Sequence, residues 1–459
     1  VSQPKGIVTE QKPSVINIDN GIFKCAIPQN GNTLYQKISI GDKVISENAR
    51  LVCTLENREK EAEQIISFDD YESRIDKAEL EQSGPVRAVV KLTGVHYSKE
   101  KKRELLPFTV RLYFFAGISE IRMVHSFVFD GDQKRDFVKS LGVVFDVPLR
   151  EQHHNRHIRF SGQNGGLWSE SVKSLSGRYP FVFNGDRSLP GKQFAGEAMP
   201  DIDSTDMAAL THFNNFPSWD DYKLTQLNPN GFSISKRTNH KSAWVHADDG
   251  KRSEGHVMLG DVSGGLAVSL KDFWQSYPAS LEVSRARSDK AQLKVWLWSP
   301  EAEAMDLRHY DTIPHDLLST YEDIQPGLST PYGVARTSEL SIFVLDKVPS
   351  KNETVAMSQR GANAPQLICT PEYLHAVKAF GAWSLPDFSN QTRKNIENQL
   401  DSSVFYYQKS IDERHWYGFW NYGDVMHSYD DDRHVWRYDI GGFAWDNSEL
   451  SSDMWLWYG

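Results

Sequence analysis

The chemically richest part of the sequence lies between residues 414 and 439. Nearly every position in it is aromatic, titratable or glycine, and its first part reads RHWYGFWNYGDVMH (414–427). Flat aromatic rings stack on pyranose faces, while Asn, Asp, Arg and His side chains hydrogen-bond sugar hydroxyls and carboxylates. The alternative interpretation is that the rings fill the interior of a helical domain and that Asp and Arg pair as buried ions. As a cluster, this composition favours a saccharide-binding cleft.

A second cluster of reactive side chains, Asp306–Asp311, follows an apolar run that ends at Trp298. It contains Arg308, His309 and Tyr310. Removing a proton next to a carboxylate requires a cation that holds the carboxylate and groups that take and give the proton. These three residue types supply those functions. The alternative is a polar loop that braces a domain junction.

Metal binding has weak support in the sequence. The run His153–His157 has spacing suited to a metal, but it lacks a nearby acidic partner, so a polar loop is the favoured interpretation. Asp430–Asp432 could hold Ca²⁺ through oxygen ligands, although a solvated acidic turn is favoured. We therefore assign no metal site and no certain cofactor. The three cysteines are too scattered for a disulfide scaffold and are predicted to be buried thiols: Cys25, Cys53 and Cys369.

Charge and motif content exclude several classes of protein. The 459 residues carry 51 Lys and Arg against 61 Asp and Glu, so the net charge is 51 − 61 = −10 with neutral histidines. This balance argues against duplex nucleic acid as a general partner, although a local basic pocket stays open. No run approaches about 18 apolar residues, so no membrane-spanning helix is predicted. The sequence motifs of nucleotide-binding proteins, zincins, nucleophile-elbow hydrolases and kinases are absent.

The first third of the chain has the pattern of antiparallel strands. Apolar residues recur with period two in Val86–His96, Phe108–Phe115 and Glu120–Phe129, and turn residues separate them. The basic run Lys99–Arg103 lies between the first two of these strands and is interpreted as a solvated hairpin tip rather than a polyanion site. Similar strands with longer loops continue to about residue 345. The fold class is therefore β-rich first and helical afterwards.

Helical patterns begin after residue 370. Tyr373–Phe380 is predicted as a short helix and Ser389–Ile411 as a long one with a Ser N-cap, and another helix is predicted from Asp446 or Asn447 onward. This last pattern is still continuing at Gly459, which predicts a longer helical domain. The predicted divisions are an N-terminal antiparallel β-barrel-like domain at 1–150, a central β-rich domain at 151–348, a linker at 349–365 and a helical domain from 366 to 459.

Five long and unusual strings carry a resemblance to a known family. They are HWYGFWNYGD (415–424), YDIGGFAWDN (438–447), DLRHYD (306–311), GGLAVSLKDFWQ (264–275) and STPYGVART (329–337). These strings resemble exo-acting rhamnogalacturonan lyases and the related YetA-like proteins. The resemblance implies an N-terminal β-barrel-like domain, a central β-rich domain and a C-terminal α/α toroid, of which this sequence would hold the beginning. It also implies cleavage of a uronic-acid-containing polysaccharide of the rhamnogalacturonan I type by β-elimination.

With that resemblance, the reactive residues acquire candidate roles in the elimination. The carboxylate of the uronate would be held by Arg308, Arg437 or Asn421. The base at C5 would be His427 or His309, and the acid at O4 would be Tyr310, Tyr422 or Tyr438. The candidate substrate contacts are the stacking rings and subsite side chains Trp416, Trp420, Trp274, Lys271, Arg336, Tyr332 and Asp424.

Two other functions stay open from the sequence. A glycoside hydrolase would need two carboxylates that flank the scissile bond, and Asp424 with Asp439 or Glu449 could serve. A carbohydrate-binding protein without catalysis would use the aromatic rings alone. The expected partner is an acidic polysaccharide or oligosaccharide in each case. A polymer substrate predicts export to the periplasm or the medium, with a cytoplasmic location as the alternative.

Overall fold

The computed structural model describes residues 6–60, 65–177, 181–307, 331–363, 367–420, 428–430 and 435–437. The strands up to residue 148 are β1 (Val8–Gln11), β2 (Val15–Asp19), β3 (Lys24–Pro28), β4 (Tyr35–Ile40), β5 (Lys43–Lys60), β6 (Ile65–Ser83), β7 (Arg87–Ser98), β8 (Arg103–Phe115), β9 (Glu120–Val128) and β10 (Phe137–Pro148). The later strands are β11 (Arg156–Ser161), β12 (Leu167–Ser171), β13 (Asp221–Asn228), β14 (Gly231–Arg237), β15 (Val245–Gly250), β16 (His256–Asp261), β17 (Gly264–Leu270), β18 (Ala279–Ser284), β19 (Lys290–Trp298), β20 (Ala335–Leu345), β21 (Ser428–Asp430) and β22 (Val435–Arg437). The helices are α1 (Leu189–Ala195), α2 (Met207–Asn214), α3 (Lys351–Ala362), α4 (Pro371–Ala376) and α5 (Gln391–Glu413).

The predicted antiparallel strands are confirmed. Buried and half-buried residues alternate along β8 and β9, as the period-two pattern requires when one face of a sheet is buried. The strands predicted around residues 86–96, 108–115 and 120–129 match β7, β8 and β9 with shifts of a few residues at their ends. The run at 99–102 forms the predicted turn between β7 and β8.

Two arms of antiparallel strands extend from the long pair β5 and β6. Along one edge β5 pairs first with β4 and then with β6, and along its other edge it pairs with β10. The first arm runs in the order β7, β8, β9, β20, β17, β16, β11, β12. The second arm runs in the order β10, β19, β18, β13, β14, β15.

The two arms pack against each other around a buried core. β17 contacts β5 and β10, and β16 contacts β18. Every residue of β16 and β17 is buried, because their outer face is covered as well. Strands on either side of residue 150 pair with one another, and the described residues before 308 and from 331 to 363 form one compact unit. We call this the β-rich unit.

Helix α3 lies within the segment predicted as a linker. Its N-terminus has a capping box between Ser350 and Glu353, which satisfies the first backbone N–H groups. Thr354, Ser358 and Gly361 are small enough for α3 to lie directly on β17, since a Cβ added at Gly361 would lie 2.2 Å from the Cβ of Ser269. The small polar residues that favoured a linker therefore provide the face by which a helix packs on the sheet.

The described helices after residue 366 belong to a second compact unit. The predicted short helix is found as α4, and the predicted long helix is found as α5 with Asn390, rather than Ser389, as its N-cap. Cys25 and Cys53 are buried as predicted, but Cys369 is exposed in the segment before α4. The helix predicted from 446 lies outside the described residues. Within the described part of the chain, no helix has the length and apolar character needed to cross a membrane.

The run at 153–157 is not the polar loop that the sequence predicted. A short 3₁₀ turn at His153–Asn155 leads into β11, and both Arg156 and His157 are buried there. Burial is tolerated because the Arg156 guanidinium donates to the backbone oxygens of Glu151, Ala286 and Ser288, at 2.6 to 3.1 Å. These polar residues therefore tie β11 to its neighbours.

Four histidines in the core are held in the neutral form. Burial lowers the pKa of His96 to about 4 and those of His125, His157 and His256 to about 3. The unfolded chain binds a proton at each of them below pH of about 6.5, whereas the folded chain does not. Each histidine therefore lowers the free energy of unfolding as the pH falls below about 6.5, by up to about 1.4 kcal/mol per pH unit.

Replacing His125 tests this linkage. Its ring is fully buried beside Phe108 and Phe127, so His125→Leu places an apolar side chain of similar volume there and removes the titrating group. We expect the free energy of unfolding to fall less between pH 7 and pH 5.5 in this variant, by roughly 1–2 kcal/mol. Urea unfolding at both pH values measures the difference. The exposed His240→Asn is the control, and parallel pH dependence of His125→Leu and the unmodified chain would contradict the assignment.

Candidate functional site

Most of the predicted catalytic residues lie outside the described residues. Those outside are Arg308, His309, Tyr310, Asn421, Tyr422, His427 and Tyr438. The predicted substrate contact Asp424 and the alternative carboxylates Asp439 and Glu449 lie outside as well. The backbone of Arg437 lies in β22, where it is paired with Ser428 of β21. Of the acidic run at 430–432, only Asp430 is described, as the end of β21. The described residues hold no group of three metal-ligating side chains.

The loop at 271–278, which follows β17, brings three predicted substrate contacts together. Lys271 donates its backbone N–H to the oxygen of Glu339 on β20, at 3.0 Å. Arg336, also on β20, donates from Nη2 to Ser276 Oγ of the loop at 2.9 Å. Trp274 lies between these two positions in the loop. The pairing of β17 with β20 thus joins residues that are more than 60 positions apart in the sequence.

A buried aromatic residue fixes this loop. Phe273 is 1% exposed, and its side chain packs against Gly255, where an added Cβ would lie 2.2 Å from the Cβ of Phe273. Gly255 has a φ of +74°, a conformation that glycine adopts without strain. The neighbouring Trp274 is half-buried, with the Arg252 guanidinium 4.0 Å from the centre of its ring. The ring therefore has a fixed orientation, which a stacking platform needs.

The electrostatics around the loop favour an anionic ligand. Arg122 forms two hydrogen bonds with the carboxylate of Glu339, at 2.6 and 2.7 Å. These bonds hold the pKa of Glu339 below its usual range, and Lys271 lowers it further through its charge. With Arg336 and Arg252, the loop and its surroundings hold four cations against two carboxylates, those of Glu339 and Asp272. Tyr332 lies in the turn before β20 and is 66% exposed.

The two predicted stacking rings of the second unit differ in exposure. Trp416 is only 7% exposed, whereas Trp420 is half-buried and packs edge-on against Phe419 with ring centres 5.0 Å apart. Burial of Trp416 agrees with the alternative interpretation of this segment, in which some of its rings fill a domain interior. Trp420 keeps part of its surface exposed.

Sequence reasoning missed a cavity of about 430 Å³ next to β12. Its charged centre is the pair Glu170 and Lys236, in which Lys236 Nζ lies 2.6 Å from both carboxylate oxygens. The ring of Trp219 lies 4.1 Å from the same ammonium group, and Trp168 lines the wall. Burial raises the pKa of Glu170 despite the nearby lysine. The signal available in the sequence was the period-two spacing of Trp168 and Glu170, which puts both on one face of a strand.

Comparison with known protein families identifies the chain. Residues 7–359 match the family model of the PcRGLX-like protein central beta sandwich domain. Residues 364–459 match the model of the PcRGLX-like protein C-terminal alpha/alpha toroid domain. The chain belongs to the PcRGLX-like family. The expected resemblance and the expected β-rich then toroidal fold class are thereby confirmed.

A curated relative of this PcRGLX-like chain is the uncharacterized protein YetA of Bacillus subtilis (strain 168). The two are 39% identical over 444 residues, which cover 96% of this chain and 51% of YetA. The chain therefore spans about half the length of this relative.

Solved structures overlap only partly with the PcRGLX-like chain. An alpha-mannosidase from Enterococcus faecalis V583 matches with a TM-score of 0.36 and 8% identity, over 74% of this chain and 30% of its own. A galactose mutarotase-like protein from Lactobacillus casei ATCC 334 matches with a TM-score of 0.30 and 8% identity, over 74% of this chain and 100% of its own. Overlaps of this extent support no argument about the site.

Breaking the Glu170–Lys236 pair tests its role in the PcRGLX-like chain. Lys236→Met should lower the free energy of unfolding at pH 7 by about 1–3 kcal/mol, because it leaves a largely buried carboxylate without its cation. The loss should shrink at lower pH, since a protonated Glu170 carries no charge. The double variant Lys236→Met with Glu170→Gln should recover most of the loss. Urea unfolding of the three proteins measures this, and equal losses in the single and double variants would contradict it.

Proposed function

We propose that this chain is part of a polysaccharide lyase that cleaves a uronic-acid-containing polysaccharide of the rhamnogalacturonan I type by β-elimination. The observation that carries the proposal is the match of both of its units to PcRGLX-like models, together with the strings at 306–311 and 415–424. The family indicates a carbohydrate-active protein of the rhamnogalacturonan lyase type.

The chemistry of the elimination assigns the tasks. A base removes the proton at C5, the electrons form a double bond between C4 and C5, and the C4–O4 bond breaks as an acid protonates O4. Charge that develops on the uronate carboxylate in the transition state needs a fixed cation or amide donor. The string at 415–424 and its flanking residues supply the proposed base His427 and donor Asn421. The string at 306–311 supplies Arg308 as a further proposed cation.

The described residues support the binding side of the proposal. Lys271 and Arg336 give the region around the 271–278 loop two cations beside a fixed aromatic ring, Trp274. A uronate offers one carboxylate and one apolar pyranose face, so this pairing of cation and ring suits such a sugar. These residues would bind units of the polymer near the cleaved bond.

The activity test follows ultraviolet absorbance during incubation with rhamnogalacturonan I and a panel of other uronate polymers. It is run with the 459-residue chain and with the natural polypeptide that contains it. A rise in absorbance reports the conjugated double bond that elimination creates. We expect His427→Ala to lower kcat by about 10²–10⁴-fold while binding persists. The control is the exposed His240→Ala. New reducing ends without absorbance would instead indicate a hydrolase, and binding without either product would indicate a carbohydrate-binding protein.

Replacement of Lys271 tests the binding role separately. Lys271→Met should raise KM for the acidic polymer by about tenfold and leave kcat nearly unchanged, because it removes a contact made equally in the ground state and the transition state. Steady-state kinetics on the same substrate measure KM and kcat separately. The exposed Lys347→Met serves as the control, since it makes the same change of charge outside the loop. A fall in kcat at constant KM would contradict a role in uniform substrate binding.

A further inference from the structure

A second cavity, of about 500 Å³, lies on the β-rich unit where four separate segments meet. These segments are the end of β5, the first part of β6, the tip of the β7–β8 hairpin and the connection between β9 and β10. We call it the basic cavity. Five cations line it, namely Arg58, Lys101, Arg103, Lys134 and Arg135. Three carboxylates line it as well, namely Glu56, Asp69 and Asp136.

The net charge of this lining is 5 − 3 = +2, although the chain as a whole carries −10. Two other cavities provide a comparison. The cavity beside β12 is lined by one carboxylate and one ammonium group, so its charge is zero with neutral histidines. A cavity beside β2 and β3 has three carboxylates and two lysines, so its charge is −1. The basic cavity therefore has a positive lining in a chain whose net charge is negative.

Buried carboxylates hold the two arginines of the wall in place. The guanidinium of Arg103 forms two hydrogen bonds with Asp136, at 2.7 and 2.6 Å, and Asp136 is 4% exposed. The Arg58 guanidinium donates from Nε to Glu56 at 2.7 Å and lies 4.0 Å from the centre of the Phe137 ring. A cation that is already fixed loses little entropy when it binds an anion. These arginines are therefore preorganised.

The same buried carboxylate orders the rim of the cavity. Asp136 accepts a hydrogen bond from the backbone N–H of Asp132 at 2.8 Å, which closes the turn between β9 and β10. Lys134 and Arg135 lie in that turn and are exposed. Together with Lys101, which pairs with Asp69 at 3.0 Å, they surround the opening with positive charge. The five cations exceed the three lining carboxylates by two, and the nearby Asp306 offsets one of these charges. One unbalanced positive charge remains for an anionic ligand.

We propose that the basic cavity is a subsite that binds the carboxylates of an acidic oligosaccharide. The inference rests on the proposed function, which supplies a uronate polymer as the ligand. A guanidinium matches a carboxylate in shape and charge, and 500 Å³ is within the range of cavities that hold small ligands. Arg58 also lies 3.8 Å from Asp306, at the start of the 306–311 cluster. The cavity thus lies beside the first residue of that cluster.

Direct binding tests the subsite without turnover. Isothermal titration calorimetry would compare trigalacturonate with a neutral galactose trisaccharide on the 459-residue chain. The double variant Lys134→Ala with Arg135→Ala changes only exposed rim residues, so it should fold. We expect it to bind trigalacturonate about tenfold more weakly, a loss of about 1.4 kcal/mol. The control is Lys99→Ala with Lys241→Ala, which removes the same charge at exposed positions that do not line the cavity.

The outcomes separate the subsite from the catalytic proposal. Unchanged affinity in the rim variant, equal binding of the neutral trisaccharide, or equal weakening in the control variant would each overturn the subsite. If inorganic sulfate at millimolar concentration displaces trigalacturonate completely, the cavity is a general anion site, and this result would also overturn the proposed saccharide subsite. If the absorbance assay shows no elimination while the rim variant still loses affinity, the proposed lyase activity fails and the acidic-saccharide subsite stands.

Discussion

The architecture of the β-rich unit depends on the pairing of one 18-residue strand, β5, along both of its edges. β4 and β6 share one edge in succession, and β10 occupies the other. The second arm begins at β10, which pairs with β5 directly, and the first arm begins at β7, which pairs with β6, the partner of β5. A slip of one residue would turn buried side chains toward solvent along every strand that follows, so the apolar alternation of β5 and its partners fixes both arms. The loops of the proposed site inherit their positions from this register.

The strands were predictable from the sequence because a strand with one buried face alternates apolar and polar residues, as β8 and β9 do. The sequence predicted α3 badly, because the small residues Thr354, Ser358 and Gly361 are typical of linkers and only their contact with β17 makes them a helix face. Pairs that join distant strands are also invisible to local patterns. Glu170 and Lys236 are 66 positions apart, and nothing near either residue indicates the other.

For the candidate site, the sequence indicated which residue types take part, but it did not indicate which of these residues lie close together in the fold. The strings at 264–275 and 329–337 are far apart in the sequence, yet the pairing of β17 with β20 brings Lys271 and Arg336 to one loop. The basic run at 99–103 includes the predicted exposed turn at 99–102. Folding also gives Lys101 and Arg103 separate acidic partners, Asp69 and Asp136, at the wall of a cavity. Charge counted along the chain could not show this, because the partners come from other segments.

A lyase of the proposed kind would need to attract an acidic polymer and also to stabilise the charge that develops at the reacting uronate. A net charge of −10 repels a polyuronate at long range, although salt screens this beyond about 10 Å. Local positive regions must therefore attract the polymer. Cations distant from the reacting carbon bind substrate and transition state equally, so they lower KM without raising kcat. Only a cation or amide aimed at the carboxylate of the reacting uronate stabilises the transition state selectively. Under the proposed function, binding by the β-rich unit and catalysis by the strings at 306–311 and 415–424 would therefore be separable contributions to one reaction.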